Sequence, residues 1–537
     1  MQRAKAADAP LKGLWSTAIS RVRDERPTLI ESGAAFSSAI FLILAFPNFG
    51  LSLFAWIALA PLLIVLGRRP APLRAFFLGW ATGSIFFYGS CYWLTYSMIH
   101  YGGIPPVLAY LLLLPATLTV GLFPALFAVI FVFLVQRWRF AILLAPFIWV
   151  SCEWLRLLIT GQLWNALGYS QAYFPSLIQT ASWGGVYAVG LLIVACNSAI
   201  AAAVVIKTRK ALATSGLVIV GIAALVSGSF LINFREPPPS GSDHTYLDVV
   251  GVQPNVPMAL VKSTTEMKEL FDRHIWISIN GLRALHDDQR PKLVIWPESP
   301  MNFTYTSDTE LQGVIMNLTQ QQHTSLLINS LEPAPNNGGF NSALLINEEG
   351  RLISQYDKIR LMPFGEYVPL PSWLGGSLIS GLVGDFTAGD KYTVMPIANH
   401  RAGVFICIES AYPTIARQLT ANGADMLINI SNDGYLGPTA VMRQHLANAI
   451  FRAVENGRPV LRVTNSGITA EITPNGNVKG PTQGFVAGGR VWSISDNDNR
   501  STLYTKFGDL FVGLCALITI AMLLKLFLEN RRSLRTK

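Results

Sequence analysis

Acidic, basic and thiol side chains follow three predicted strands in the second half of the 537-residue chain. Glu298 comes directly after the run KLVIWP, Lys358 after RLISQYD, and Cys407 after AGVFI. Glu366 lies eight residues beyond Lys358, and Glu409 lies two residues beyond Cys407. Because open α/β sheets bind their ligands at the carboxyl ends of strands, we expect these five side chains to share one site.

A thiol beside a carboxylate and an ammonium group is a pattern of nucleophilic catalysis. The carboxylate takes the thiol proton, and the cation favours both the thiolate and the oxyanion that forms when sulfur attacks a carbonyl carbon. Taken singly, Cys407 is typical of a small core residue, and Glu298 and Lys358 are typical of solvated charges. The other four cysteines lie in strongly apolar segments: Cys91, Cys152, Cys196 and Cys515. Cys407 therefore lacks a disulfide partner in its own part of the chain, and the combination favours a nucleophile.

Several common catalytic motifs are missing from the sequence. It contains no GxGxxG, Walker A, GxSxG, HExxH or CxxC pattern, and none of its seven histidines lies four residues from another. We therefore expect no nucleotide, no metal ion and no other cofactor. The net charge of +9 does not indicate nucleic-acid binding, since Lys and Arg occur mostly in short clusters between apolar runs.

The composition is that of a membrane protein. Of its residues, 51% are hydrophobic and only 14% are charged, whereas about 25% are charged in soluble proteins. The mean hydropathy is +0.39. Since a span needs roughly 20 apolar residues, we predict about eight spans, at 33–47, 51–67, 75–99, 107–135, 140–160, 177–206, 217–234 and 507–528. The first two are short, and either two spans or one re-entrant hairpin would accommodate them.

Clusters of Lys and Arg flank alternate ends of these candidate spans. They occur at 21–26, 68–74, 137–139, 207–210 and 531–537, whereas the intervening loops contain neither residue type. Lys and Arg are retained on the cytoplasmic side of a membrane. We therefore expect both termini in the cytoplasm and residues 235–505 on the opposite side.

The chain divides into a membrane domain at 1–236, a soluble domain at 237–503, and a last span with a basic tail at 504–537. In the soluble domain, strands are predicted at 246–252, 292–295, 325–329, 342–346, 351–355, 403–406, 426–430 and 460–464, and helices at 265–285, 309–321, 414–422 and 441–456. This alternation indicates an α/β sandwich. A loop at 363–386 contains several large apolar residues, including Trp373 and Leu378. We expect this loop either to enter the outer leaflet or to fold back onto the core.

The region from about 245 to 490 resembles the nitrilase, or carbon–nitrogen hydrolase, superfamily. Its WPE, YDK and MPFGEYVP segments and its strand-end cysteine match that superfamily's blocks in order and spacing. With spans on both sides, nearly the whole chain is similar to the bacterial apolipoprotein N-acyltransferases. Further segments carry the similarity: FPNFGLSLFAWIALAPLL, LWNALGYSQ, VQPNVP, ISNDGYLGP and RQHLANAIFRAVENGRPVLRVTNSGITAEITPNG.

The resemblance implies an α-β-β-α sandwich with a catalytic set of Glu298, Lys358 and Cys407. It implies a cysteine thioester, a phospholipid donor such as phosphatidylethanolamine, and a diacylated apolipoprotein acceptor, in the inner membrane with the catalytic domain periplasmic. Glu366 would orient Lys358 or the amine, and Glu409 would support the same network. Residues expected to bind the substrates are Trp164, Tyr169, Tyr435, Ile408, Trp373 and Leu378.

Four positions depart from the pattern of that family. Ile408 follows the cysteine where Tyr is usual, and Tyr435 stands where Trp is usual. Residues 261–262 are Val-Lys rather than Lys-Trp, and residues 162–163 are Gln-Leu rather than Phe-Pro. Because such positions would line the acyl and amine pockets, they bear on substrate preference more than on reaction type.

Two other functions remain open from the sequence. A membrane-tethered amidase would use the same three residues, but water rather than an amine would resolve the thioester. A transporter or sensor with an inactive binding domain would bury ionisable residues within its spans, and Glu153 and Arg156 are the chief candidates. An intact set of Glu298, Lys358 and Cys407 counts against an inactive domain.

Overall fold

The computed structural model describes residues 26–233, 246–258, 263–285, 290–335, 338–363, 365–368, 386–495 and 501–535. The N-terminal half is helical: α1 Leu29–Ala45, α2 Ala55–Ala58, α3 Ala60–Gly67, α4 Pro72–Ser90, α5 Leu94–His100, α6 Pro106–Val120, α7 Leu122–Arg137, α8 Ala145–Thr160, α9 Pro175–Ile178, α10 Ala181–Ile206 and α11 Arg209–Asn233. Local sequence explains the helix starts. Thr28 and Glu31 form a capping box at α1, and proline opens α4, α6 and α8, where its missing N–H costs nothing.

Five helical segments among the described residues are long and apolar enough to cross a bilayer, judged by length and composition. They are Pro106–Arg137, Arg139–Thr160, Ala181–Ile206, Arg209–Ile232 and Leu510–Arg532. The segments Leu29–Ala45 and Ser52–Gly67 are apolar but shorter. An α-helical membrane region is thus confirmed, while the count of eight spans and the boundaries of the three domains stay predictions.

Small residues let the membrane helices approach closely. A Cβ atom added to Gly79 of α4 would lie 2.4 Å from the carbonyl oxygen of Pro124, and one added to Gly83 would lie 2.6 Å from the Pro124 ring. Membrane helices associate largely by such close packing, since lipid gives apolar side chains no hydrophobic drive to associate. We expect larger side chains at these glycines to separate α4 from α7.

Among the described residues, two six-stranded sheets form the soluble domain. In chain order the strands are β1 Tyr246–Gln253, β2 Lys292–Ile295, β3 Ser325–Pro333, β4 Gly339–Ile346, β5 Leu352–Asp357, β6 Val394–Ile397, β7 His400–Ile406, β8 Met426–Ser431, β9 Val460–Thr464, β10 Ala470–Ile472, β11 Val478–Lys479 and β12 Gly488–Ser495. The strand orders are β12-β1-β2-β3-β4-β5 and β11-β10-β9-β8-β7-β6. The centre of each sheet is parallel, with β2 between β1 and β3, and β8 between β7 and β9.

Helices cover the outer face of each sheet. The remaining α-helices in the part of the chain that the structure describes are α12 Thr264–Arg283, α13 Thr309–Gln322, α14 Pro413–Ala421, α15 Val441–Asn456, α16 Leu503–Phe507 and α17 Leu510–Arg535. Apolar residues of α12 and α13 pack on the first sheet, and a separate apolar core fills the space between the sheets. The predicted α-β-β-α sandwich is therefore confirmed.

The second helix layer joins the soluble domain to the membrane helices. Leu446 and Ile450 of α15 belong to the same buried apolar cluster as Leu167 and Tyr169 of the membrane domain. The two domains thus share one continuous core, and the side of the sandwich that carries β7 faces the membrane helices.

Four strands at 394–397, 470–472, 478–479 and 488–495 were not predicted from the sequence. Most are short and lie at or near sheet edges, where one-sided pairing leaves a weak alternating pattern. β5 ends two residues later than predicted, directly before Lys358. In the apolar loop at 363–386, Trp373 and Leu378 lie outside the described residues, as does Lys262.

Candidate active site

The three predicted catalytic residues come from strand ends in both sheets. Glu298 follows β2 after a two-residue extension, and Lys358 follows β5 directly. Cys407 follows β7 of the second sheet and begins a short 3-10 helix, Cys407–Ala411. The thiol and the two charged groups therefore approach each other across the interior of the sandwich.

Lys358 is held between two carboxylates. Its Nζ atom lies 2.9 Å from Oε1 of Glu366 and 3.4 Å from Oε1 of Glu298. The lysine side chain is only 1% exposed. Burial lowers the pKa of a lysine, but the Glu298 and Glu366 carboxylates outweigh it and hold the pKa of Lys358 well above its ordinary value. Lys358 is therefore a permanent buried cation.

Asn341 of β4 connects the two carboxylates. Its side-chain amide donates to Oε1 of Glu366 at 2.7 Å and to Oε1 of Glu298 at 2.9 Å. Its carbonyl oxygen accepts the backbone N–H of Lys358 at 2.8 Å, and Asn329 donates to its side-chain oxygen at 2.7 Å. Asn341 thus fixes all three charged groups, and the sequence analysis missed it. A polar residue inside the buried run GFNSALLI was the available signal.

The two glutamates differ in the hydrogen bonding of their second carboxylate oxygen. Oε2 of Glu366 accepts the backbone N–H of Met362 at 2.7 Å, so both of its oxygens are occupied. Burial acts to raise the pKa of Glu366, but Lys358 and the donated hydrogen bonds outweigh it and lower the pKa. Oε2 of Glu298, in contrast, is buried without a hydrogen-bond partner in the described part of the chain. Glu298 therefore has an oxygen available to accept a proton.

Cys407 adopts a backbone conformation that few side chains tolerate. Its φ angle is +52°, in the left-handed region that costs a non-glycine residue about 1–3 kcal/mol and clusters at functional sites. The side chain is half-buried. Burial raises the pKa of the thiol, and the Glu298 carboxylate raises it further, while Lys358 lowers it. The net pKa lies well above the ordinary value, so the resting group is a thiol that needs a base.

Glu409 connects the Cys407 turn to the Lys358 loop. Its carboxylate accepts backbone N–H groups from Ile406 at 2.7 Å, Ile359 at 2.8 Å and Arg360 at 3.0 Å. The hydroxyl of Tyr356 donates to both oxygens. Burial raises the pKa of Glu409 to about 7, although the backbone hydrogen bonds oppose this shift. Glu409 therefore lies behind the site, where it sets the spacing of two strand ends.

The predicted substrate-binding residues occupy different surroundings. Trp164 is buried, and its ring centroid lies 5.6 Å from that of His445. Tyr169 is buried at the domain junction, where Arg452 donates to its hydroxyl at 3.2 Å. Ile408 is half-buried. Tyr435 is 40% exposed and stacks on Tyr101, with ring centroids 5.3 Å apart.

Two buried ionisable residues of the membrane domain hold a loop. Glu153 accepts the backbone N–H of Leu167 at 2.8 Å, and Arg156 donates to the carbonyl oxygen of Trp164 at 2.8 Å. One carboxylate oxygen of Glu153 and the guanidinium of Arg156, the pair that a transporter would use to bind its cargo, thus contact the segment that carries Trp164. Within the described residues no cluster of three or more His, Cys, Asp or Glu side chains is arranged to hold a metal ion.

The fold and the site together define a class of protein: a membrane-anchored member of the carbon–nitrogen hydrolase fold whose site contains a thiol, a carboxylate and a lysine. Residues 276–488 match the family model for carbon-nitrogen hydrolases, and residues 38–199 match that for the N-terminal domain of apolipoprotein N-acyltransferases. A solved carbon-nitrogen hydrolase from Helicobacter pylori aligns with a TM-score of 0.36 at 16% identity, covering 47% of this chain and 89% of its own.

Curated relatives extend the match over most of the chain. The apolipoprotein N-acyltransferase of Geobacter metallireducens is 30% identical, over 90% of this chain and 92% of its own. That of Rhizobium meliloti is 31% identical, over 82% of this chain and 85% of its own. The chain belongs to the apolipoprotein N-acyltransferase family and is an acyltransferase.

Proposed function

We propose that this enzyme moves an acyl chain from a phospholipid to the α-amino group of the diacylglyceryl-cysteine at the N-terminus of an apolipoprotein, through a thioester on Cys407. One observation carries the proposal: a buried lysine is paired with two carboxylates, Glu298 and Glu366, whose charges act on the Cys407 thiol. Phosphatidylethanolamine is the proposed donor. Lipid substrates on both sides of the reaction account for a catalytic domain whose core is continuous with membrane helices.

In the first half-reaction the thiol must lose its proton as it attacks. The free Oε2 of Glu298 accepts that proton while sulfur bonds to the ester carbonyl carbon of the phospholipid. Lys358 is a fixed cation that stabilises the tetrahedral oxyanion. The carbon–oxygen bond then breaks, Glu298 returns the proton to the departing glycerol oxygen, and a lysophospholipid leaves the thioester behind.

In the second half-reaction the neutral α-amine of the apolipoprotein attacks the thioester carbon. Its nitrogen forms the amide bond, Glu298 accepts the surplus proton, and the carbon–sulfur bond breaks. The proton then returns to sulfur, which restores the thiol that its raised pKa favours. Glu366 holds Lys358 in place in both halves, and Glu409 holds the two strand ends at a fixed spacing. No cofactor takes part in either step.

The basic clusters support an orientation with both termini in the cytoplasm and the catalytic domain, residues 237–503, on the periplasmic face of a bacterial inner membrane. The membrane domain at 1–236 and the span at 504–537 then tether that domain at both ends. Trp164, Tyr169, Ile408 and Tyr435 are the proposed substrate-binding residues among those described, and Trp373 and Leu378 are proposed for the loop.

Intact-mass spectrometry tests the proposal directly. The purified protein in phosphatidylethanolamine vesicles should gain the mass of one acyl chain, and a diacylated lipopeptide should remove it and become heavier by the same mass. Cys407→Ser keeps the shape of the site but should form no thioester. An acyl group that water removes while the lipopeptide stays unmodified would indicate an amidase-like hydrolase instead, and full turnover by Cys407→Ala would contradict the assignment of the nucleophile.

A further inference from the structure

A buried chain of charged and polar groups ends on the backbone of the nucleophile. Arg462 of β9 donates to both oxygens of Asp433, at 2.8 and 3.1 Å. Asp433 lies 2.7 Å from Nδ1 of His445, and Nε2 of that histidine lies 2.9 Å from the carbonyl oxygen of Cys407. The chain thus links β9, the end of β8 and α15 to the residue that follows β7.

The partners of His445 define its hydrogen-bonding role. Burial acts to raise the pKa of Asp433, but Arg462 and His445 outweigh it and lower the pKa to about 2, so this carboxylate only accepts. A backbone carbonyl oxygen also only accepts. Both ring nitrogens of His445 therefore face acceptors, and both contacts are satisfied only when each nitrogen carries a hydrogen.

The carbonyl that His445 contacts belongs to the strained residue itself. Cys407 is held at φ +52°, and the peptide that follows it is fixed by the hydrogen bond from His445 Nε2. Asn429 of β8, whose side-chain oxygen accepts from Arg462, also approaches this carbonyl, at 3.5 Å. Arg462 therefore braces two groups that converge on one carbonyl oxygen.

We propose that His445, oriented by Asp433, is a positioning residue that fixes the Cys407 peptide and so aims the thiol at the acyl carbonyl carbon. This inference rests on the proposed role of Cys407. His445 acts through the backbone of Cys407 rather than on the substrate. Its ring also contacts Trp164, so the same residue connects the nucleophile to the membrane domain.

The charged groups that act on the Cys407 thiol include one member of this chain. Glu298, Lys358 and Glu366 together carry one negative charge. Burial raises the pKa of the thiol, and Asp433 is one of the carboxylates that raise it further. Arg462 and His445 both contact that carboxylate, so the chain that fixes the Cys407 peptide also contains a charge that acts on the thiol.

Two amide variants separate the two contacts of the ring. In His445→Gln the amide nitrogen reaches about as far as Nε2 and still donates to the Cys407 carbonyl, whereas in His445→Asn it reaches only as far as Nδ1 and donates to Asp433 alone. We expect His445→Asn to slow thioester formation about 30-fold and His445→Gln to slow it about threefold, on the scale of one hydrogen bond to a charged group. KM for phospholipid should change in neither variant, because the two hydrogen-bond partners of the ring, Asp433 and the Cys407 carbonyl, are not among the groups proposed to bind the lipid.

Two readouts distinguish positioning from a general loss of stability. Alkylation of Cys407 by iodoacetamide should slow more in His445→Asn than in His445→Gln, and this order should not follow the melting temperatures of the two variants. His400→Gln is the matched control, since His400 pairs with Asp425 at the far end of the same strand, and it should leave thioester formation unchanged. If His445→Asn does not fold, Asp433→Asn should show the same slowing at unchanged KM.

The outcomes separate the two proposals. Thioester on Cys407 at the wild-type rate in both His445 variants would overturn the positioning role while leaving the nucleophile intact. If thioester formation slows equally in His445→Gln and His445→Asn, with a lowered melting temperature and an unchanged alkylation rate, the positioning role is also overturned. Absence of any acyl group on Cys407 in the wild-type protein would instead overturn the proposed function.

Discussion

Replacing Glu366 by Gln tests whether the position of Lys358, rather than its presence alone, controls acyl transfer. The carboxylate of Glu366 accepts hydrogen bonds from Lys358 at 2.9 Å, Asn341 at 2.7 Å and the Met362 backbone at 2.7 Å. A glutamine side chain has only one acceptor oxygen. If that oxygen accepts from Lys358 and Asn341, the amide N–H₂ faces the Met362 N–H, and two donors meet. In the reverse orientation the amide N–H₂ faces the lysine ammonium, and again two donors meet.

The expected loss follows from these contacts. One orphaned buried donor costs about 1–3 kcal/mol, and the charge of Lys358 is left with Glu298 as its remaining close anionic partner. We therefore expect acyl-enzyme formation to slow by about 2 kcal/mol, or roughly 30-fold. The present 3.4 Å contact between Lys358 and Glu298 should shorten in the variant, which would occupy the proposed base. KM for phospholipid should stay within about threefold, since the change removes no contact to an acyl chain.

The assay is a time course of the acyl-enzyme mass in vesicles of fixed phosphatidylethanolamine content. Glu332→Gln is the matched control, because Glu332 is also a buried carboxylate of the first sheet and accepts from Ser330 and Thr306 instead of Lys358. The Glu366 carboxylate raises the pKa of both Lys358 and Cys407, so alkylation of the thiol in Glu366→Gln should shift to lower pH. A wild-type acylation rate, or a raised KM at unchanged kcat, would refute this reasoning.

Three further predictions concern the surroundings of the site. Gln444→Leu removes the acceptor shared by the indole N–H groups of Trp93 and Trp164, at 3.0 and 2.8 Å. Two buried donors are then left without a partner, and the free energy of unfolding should fall by about 2–4 kcal/mol. An unchanged melting temperature would contradict this expectation. The pKa of Asp433 is lowered from 3.8 to about 2, so its contribution of about 2 kcal/mol is complete above pH 4 and lost as the pH falls towards 2. Denaturant unfolding should therefore show the gap between wild type and Asp433→Asn closing over that range, and a constant gap would contradict the assignment. Glu409→Gln should slow acylation without changing KM, and crystallography of the variant should show the Cys407 turn displaced from the Lys358 loop.

Sequence patterns predicted the groups that stand at strand ends, and missed those that pair across strands. Glu298, Lys358 and Cys407 each follow a run of apolar residues, so local periodicity locates them and the resemblance to a known family orders them. Asn341 lies in the middle of β4, and its role depends on which strand is its neighbour. Arg462 lies inside the apolar run VLRVT, and a buried charge of this kind requires a partner. That partner, Asp433, lies 29 residues away in the chain, and no local pattern points to it.

The raised pKa of Cys407 bears on why such a site works beside a membrane. A thiolate formed in advance would react with any electrophile that reached the half-buried sulfur. In the proposed mechanism, by contrast, the thiol becomes nucleophilic only when Glu298 can take its proton. Because Lys358 is already paired with both carboxylates, a bound ester is what gives its charge a further partner, the developing oxyanion. Proton transfer, oxyanion stabilisation and attack are thereby coupled to the arrival of the acyl chain. A thiol that alkylates at its maximal rate at neutral pH without lipid would contradict this coupling.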